Sequence, residues 1–486
     1  MTAPGASLSR YAGLTGAVLL AVAGYLGGAL PDAPLGVTPA STWRAPDGPA
    51  TLTCWLIGTV LLVGAWWSLR GGAPSTRWAY VTAGLWALPL LVAPPLGSRD
   101  VYSYACQGWT YAHGVDPYTV GVAAAGCPWL DTVAPIWRDT PAPYGPVFVL
   151  LAALAVGLGG GLTGTIVALR VIAVAGLLLA ALCVPGLARA AGVPTRRAAW
   201  LALAGPLVGV HLVAGAHNDA VMLGLLLSGL LIVVRRPGRP AALLLAGALL
   251  GLAVTVKASA VVVVPFAALA GMPDQSTVRA LLRHCGWLAG GLLAALLVTS
   301  AVSGLGFGWV GGLTHSGDSE QWTSPPTAVG FVVDYAGALV GRDPQAVPVV
   351  RAVALLLLVG VLAVLWWRAW QTMRGLNGVA GPGASAPRVA LHGAALALVA
   401  TIVLSPVFHP WYATWPLAML ALTAARTTWF VLPTAAAAFL ALPDGTNLAR
   451  VTKAPGALAM TALLLTVLVR TLRRPSPTTP GNDQPR

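Results

Sequence analysis

Uninterrupted apolar stretches of roughly 15 to 22 residues recur from end to end of the chain, about the length a helix needs to cross a bilayer. They are rich in Leu, Ala and Gly and do not alternate with polar residues, which argues against the strands of a membrane β-barrel. The pattern predicts an all-α polytopic integral membrane protein with about 14 transmembrane helices, near 11–30, 51–69, 78–96, 164–186, 198–214, 219–234, 240–256, 258–271, 284–303, 347–367, 389–406, 411–425, 427–443 and 456–470. The first stretch reads as a span, because no convincing cleavage site follows it. The short apolar segment 147–157 runs into Gly159, Gly160 and Gly161 and reads as a re-entrant or half-crossing helix, which protein cover would allow.

The placement of charge supports that reading. With the N-terminus in the cytoplasm and 147–157 not crossing, 19 of the 28 basic residues fall on the cytoplasmic side, as the positive-inside bias requires. If 147–157 crossed fully, Arg189, Arg196 and Arg197 would move outside and every later basic cluster would invert. All but two of the 14 acidic residues, Asp274 and Asp483, then lie outside. Topology does not need that acidic bias, so it points to chemistry on the outer face. The plasma membrane is the expected location.

Two outer loops stand out. The first, 97–146, has about 50 residues, a length that is usually functional or disordered, and its Trp109, Trp129 and Trp137 argue against disorder. It holds Asp100, Asp116, Asp131 and Asp139. The second, 304–346, carries Asp318, Glu320, Trp322 and Asp334. Residues 1–474 form one membrane-embedded domain, 375–388 reads as a flexible inner segment, and 475–486 as a disordered tail.

Composition adds exclusions. The chain is 57% hydrophobic and 9% charged, with a mean hydropathy of +0.79, so soluble domains are ruled out despite its 486 residues. Its net charge of +14 is dispersed in short inter-span clusters and forms no basic, aromatic-studded domain, so no nucleic-acid partner is expected. Cys54, Cys183 and Cys285 lie in or beside apolar runs as buried thiols. Cys106 and Cys127 share the first outer loop, where a disulfide is chemically allowed, although sequence does not fix the pairing.

Several polar groups converge on the outer side, and ionisable residues at a membrane edge default to functional hypotheses. Asp100 is either a general base for an acceptor hydroxyl or a helix cap. His217-Asn218-Asp219 opens a span after a small-residue turn. It either orients substrate hydroxyls or caps the helix, and it has too few ligands for a metal site. Lys257, between two apolar runs, either pairs with a phosphate or snorkels to the interface. His409, Trp411, Tyr412 and Trp415 either stack on a sugar or polyprenyl head or form an interfacial aromatic belt. Asp116, before Pro117, is most simply a turn former.

Five segments together resemble the actinobacterial polyprenol-phosphate-mannose-dependent α-1,6-mannosyltransferases, membrane glycosyltransferases of the GT-C superfold. They are Ser98-Arg99-Asp100-Val101-Tyr102-Ser103-Tyr104, Gly114-Val115-Asp116-Pro117-Tyr118, Pro141-Ala142-Pro143-Tyr144-Gly145-Pro146, His217-Asn218-Asp219 and His409-Pro410-Trp411-Tyr412. The resemblance covers roughly 78–425; any one segment alone is weak. It implies a first extracytoplasmic loop bearing the catalytic carboxylate, a position that Asp100 matches. The chain departs from many GT-C enzymes in placing extra spans before that loop. The implied donor is polyprenyl-phosphate-mannose, and the acceptor a mannan or lipid-linked mannoside of the lipomannan and lipoarabinomannan type. A β-phosphate donor giving an α-mannoside requires inversion, with Lys257 or Arg99 stabilising the leaving phosphate. Arg99, Tyr102, Tyr144, His217, Asn218, Asp219, Lys257, His409, Trp411 and Tyr412 are the expected substrate-binding residues. No cofactor is required and no metal site is expected, since a cation partner serves a monophosphate. Two rival readings are a GT-C enzyme for another polyprenyl-phosphate sugar, such as arabinofuranose, and a lipid or solute transporter. Transporters usually bind near the bilayer midplane rather than under a long aromatic outer loop.

Overall fold

The computed structural model describes residues 3–272, 277–376 and 385–473. The tail 475–486 and most of the Gly/Ala/Pro-rich segment 375–388 lie outside the described residues. Among the described residues every regular element is a helix, with one isolated antiparallel bridge between Ala441 and Asn447. The helices that position the site are α1 (Ala3–Gly27), α2 (Gly48–Ser68), α3 (Thr76–Val92), α4 (Asp100–Ala112), α5 (Pro146–Gly159), α6 (Leu162–Ala190), α7 (Thr195–Leu203), α8 (Asp219–Arg235), α9 (Pro240–Val256), α10 (Val264–Ala270), α11 (Val278–Ser303), α12 (Pro325–Leu339), α13 (Ala346–Leu376), α14 (Ala386–Leu404), α15 (Thr414–Thr423), α16 (Thr428–Ala437) and α17 (Lys453–Leu472).

Among the described residues, seven of these are long and apolar enough to cross a membrane: α1, α2, α6, α11, α13, α14 and α17. Side chains set several starts. Ser75 Oγ accepts from Trp78 N at 3.0 Å at the head of α3, and Ser385 Oγ from Arg388 N at 3.3 Å at the head of α14. Other expected spans are short or broken. The 198–214 stretch is α7 plus a π-helical turn, Val208–Ala214, bent by 61°. The 258–271 stretch is a 3-10 turn, Ala258–Val263, running into α10. The 411–425 stretch holds a 3-10 turn, Pro410–Ala413, running into the ten-residue α15, and the 427–443 stretch holds the ten-residue α16. Pro206, Pro265, Pro416 and Pro433 lie in these stretches, and a proline removes a backbone donor and clashes with the preceding turn.

Two hydrogen bonds fix the relative direction of α3 and α6, which hydropathy left open. Tyr80 on α3 donates to Ala181 O on α6 at 2.5 Å. Arg170 on α6 donates to Leu91 O at the far end of α3 at 2.8 Å. The two helices are therefore antiparallel, and the C-terminus of α3 lies on the same side as the N-terminus of α6. The segment between them, α5 included, leaves and returns to one side. The α5 helix folds back on α6 through Gly160 (φ 64°). The α6 and α8 helices run parallel, with Gly224 packed so close that a Cβ there would meet Gly176 O at 2.4 Å. The basic ends cluster at the opposite side: Arg196 donates to Ala73 O, Arg197 to Ala424 O, and Ser385 to Ala190 O.

The first long loop is ordered because it is packed, not because it is stiff. Val101, Tyr102, Tyr104, Ala105 and Cys106 on α4 are all fully buried. Cys106 and Cys127 form a disulfide with a Cα–Cα distance of 5.5 Å. Asp116 Oδ1 accepts from Tyr118 N at 2.8 Å, the turn expected of an Asp before Pro. The second loop contains a helix that hydropathy did not anticipate, α12, because its apolar run is short and interrupted by Asp334. That carboxylate accepts from Ala346 N at 2.6 Å, at the start of α13. After α16 the chain does not continue as a span. Residues 438–452 turn back, and Gly97 N donates to Pro443 O at 3.1 Å.

Candidate active site

Asp100 is the first residue of α4. Its backbone N–H donates to Ser98 Oγ at 3.0 Å, and no side-chain capping bond forms at this helix terminus. The carboxylate is therefore not used as a cap. It lies where two cavities meet: one of 520 Å³, walled by residues of both long loops and by Asp444, Asn447 and Arg450, and one of 170 Å³, walled by Tyr144, Lys257, Tyr412 and Trp415. Asp100, Trp137, His409 and Trp411 line both.

Behind Asp100 lies a buried polar core. His217 Nδ1 is 3.8 Å from Asp100 Oδ2 and 3.9 Å from Asp219 Oδ2, and 3.3 Å from the Tyr104 hydroxyl. Asp219, 0% exposed, receives Lys257 Nζ on both oxygens at 2.9 Å, and Trp415 Nε1 donates to its Oδ1. Lys257 Nζ also sits 4.8 Å from the Tyr412 ring centroid and 5.2 Å from that of Trp415, a favourable cation–π arrangement. The position of α9 explains this: the helix ends at Val256, and Lys257 turns its side chain into the interior rather than to the interface. His409 stacks on Trp411 with centroids 4.6 Å apart and planes 5° from parallel, and Trp411 in turn lies 4.2 Å from His217. This aromatic run belongs to the site wall, not to an interfacial belt.

Burial dominates the electrostatics. It pushes the Asp100 carboxyl up to about 6; Asp219 adds to the rise, while Lys257 and Ser98 oppose it. The carboxyl responds this way although 18% of its side-chain surface faces open space. Burial, helped by Lys257 and His211, lowers His409 to about 3, and it lowers His217 in the same direction. Both imidazoles are thus neutral near pH 7. A base that must be ionised to work gains activity as pH rises through its pKa. The turnover-limited rate is therefore expected to climb between pH 5 and 7 with a midpoint near 6; a pH–rate profile flat across that window would contradict the assignment.

The remaining expected residues divide. Tyr144 lines the smaller cavity and packs edge-on against Tyr104 at 5.3 Å. Arg99 lines the larger one, but its guanidinium is committed to the backbone carbonyls of Thr132, Leu30 and Ala33 at 3.0–3.2 Å. Tyr102 is fully buried, donates to Ala29 O, and lines neither cavity. Asn218 is buried with both amide atoms unpartnered, away from either cavity. Among the described residues no three His, Cys, Asp or Glu side chains converge as a metal-ligand group.

Sequence reasoning missed Ser103, Gln107, Trp137 and the segment 441–447. The last closes the larger cavity: Asn447 Nδ2 donates to Gln321 Oε1 at 2.9 Å, and Gly445, at φ +94°, lies so close to Ser98 that a Cβ there would sit 3.0 Å from its Cα. Only the spacing of Ser103 and Gln107, three and seven residues after Asp100, offered a signal.

Comparison with known proteins agrees with this architecture. Residues 10–273 match the family described as alpha-(1->6)-mannopyranosyltransferase, N-terminal domain, and residues 326–470 match the MptB C-terminal domain. The chain belongs to the alpha-(1->6)-mannopyranosyltransferase family. Members similar to it include a probable alpha-(1->6)-mannopyranosyltransferase of Mycolicibacterium smegmatis, 33% identical over 86% of this chain and 79% of that protein. An alpha-(1->6)-mannopyranosyltransferase of Mycobacterium tuberculosis is 31% identical over the same shares. Alpha-(1->6)-mannopyranosyltransferase B of Corynebacterium glutamicum is 28% identical over 90% of this chain and 78% of its own length. No solved structure matches. Both matched family segments contribute to the site walls: Asp100 and Lys257 come from the first, His409, Trp411 and Asn447 from the second.

Proposed function

We propose that this chain is an inverting mannosyltransferase of GT-C fold that moves mannose from polyprenyl-phosphate-mannose to an α-1,6-mannan acceptor of the lipomannan type. The observation that carries the reading is Asp100 at the junction of two cavities, one of which holds Lys257. The acceptor 6-hydroxyl enters from the larger cavity. Its oxygen attacks the anomeric carbon, the bond from that carbon to the phosphate oxygen breaks, and the hydroxyl proton passes to the Asp100 carboxylate. The polyprenyl phosphate leaves as an anion beside Lys257, whose third N–H is available after two go to Asp219. The basic clusters at the opposite end support a site on the outer face of the plasma membrane, where a lipid-borne donor and a glycan acceptor would meet and be held in register. No resident cofactor takes part in this scheme.

The test is transfer by purified protein in liposomes, with labelled polyprenyl-phosphate-mannose and a short α-1,6-mannoside. Label in an α-1,6-linked product supports the reading. Transfer from polyprenyl-phosphate-arabinofuranose instead would replace the sugar assignment, and solute uptake or lipid movement without transfer would replace the enzyme class.

A further inference from the structure

Asp100 is not alone on its face of α4. Ser103 and Gln107 follow at intervals of three and four residues, the spacing that stacks side chains on one side of a helix. All three line the 170 Å³ cavity, over about 10 Å of helix at 1.5 Å per residue. Ser103 is 4% exposed and Gln107 6%. Ser103 Oγ and Gln107 Oε1 are buried with no hydrogen-bond partner. Buried polar atoms in native proteins are almost always satisfied, so two orphans facing one cavity demand an explanation. The mechanism above uses neither.

The rest of the cavity says what would satisfy them. Lys257 supplies one cation. The rings of Trp137, Tyr144, Tyr412 and Trp415 supply flat apolar walls. A ligand that fits has an anionic end, a carbon skeleton with apolar faces, and neutral hydroxyls along one edge. We infer that Ser103 and Gln107 form the recognition subsite for the sugar ring of the donor: Gln107 Oε1 accepts from one ring hydroxyl and Ser103 Oγ exchanges a hydrogen bond with another, while the phosphate lies toward Lys257. The α4 helix thereby carries both the base and the sugar-reading edge, so the sugar is read in the register that presents its anomeric carbon to Asp100. This rests on the donor reading proposed above.

The test uses S103A and Q107M, which remove the polar atoms with little change in volume, in full-length protein in liposomes. Each is expected to raise the KM for polyprenyl-phosphate-mannose about tenfold, the effect of losing one buried hydrogen bond to substrate. Each should also narrow the preference for the mannosyl donor over its glucosyl epimer. Inhibition by polyprenyl phosphate, which lacks the sugar, is expected to stay within about twofold of wild type. Donor KM and epimer preference unchanged in both variants would overturn the subsite. So would an increase confined to the acceptor KM, or a parallel loss of polyprenyl phosphate inhibition, which marks general damage. Should wild-type protein use a different polyprenyl-phosphate sugar, the mannose reading falls while the same two variants, assayed on that sugar, still decide the subsite. Should it use none, both fall.

Discussion

Replacing Asp100 with Asn is expected to lower mannosyl transfer by about 10²–10⁴-fold, the range a positioned general base contributes. The substitution keeps the shape of the side chain and removes its ability to take a proton. The backbone around it has independent supports. Ser98 holds the Asp100 N–H, Pro443 O holds Gly97, and Arg99 is tied to three carbonyls. The variant should therefore insert and melt like wild type. Turnover of labelled donor by purified protein, with a thermal melt alongside, checks both halves. Turnover within about tenfold of wild type would remove Asp100 from the proton transfer.

The second large effect concerns stability. Lys257→Met leaves the Asp219 carboxylate, 0% exposed, without its cation. Breaking a buried pair from one side typically costs about 3–5 kcal/mol, because a charge stays behind in a low-dielectric interior. The thermal midpoint in detergent should drop sharply for Lys257→Met. It should recover much of the loss in the double variant Asp219→Asn/Lys257→Met, where no unpaired charge remains. The recovered protein should still be inactive, since the cation beside the leaving phosphate is gone. A single variant as stable as the double one would mean that the pair contributes no such coupling.

Much of this was legible in the sequence, because the physics that sets membrane helices is nearly one-dimensional. Long apolar runs gave α1, α2, α6, α11, α13, α14 and α17, and the arginine clusters called for a 147–157 segment that does not cross, in line with the antiparallel α3 and α6. What stayed hidden depends on contacts distant in the chain. Nothing local marks 438–452 as a wall of the site rather than the end of a span; the Asn447–Gln321 bond joins residues 126 apart. Tyr102 and Arg99 looked like substrate ligands because they neighbour Asp100 in sequence. On a helix, adjacent residues point to different sides, and these two hold the loop in place. Lys257 gave only a lone cation between apolar runs, and its partner Asp219 became apparent once α8 and α9 were side by side.

The Gly445 turn resting on Ser98 bears on biosynthesis. Asp100 emerges from the ribosome long before Gly445, whose turn seats its loop. Chains fold N-terminal parts first during synthesis, so the amino-terminal portion waits in the membrane with the surroundings of Asp100 unfinished. A nascent chain cut short before Pro443 carries Asp100, Asp219 and Lys257 without the contact that holds Gly97 in place.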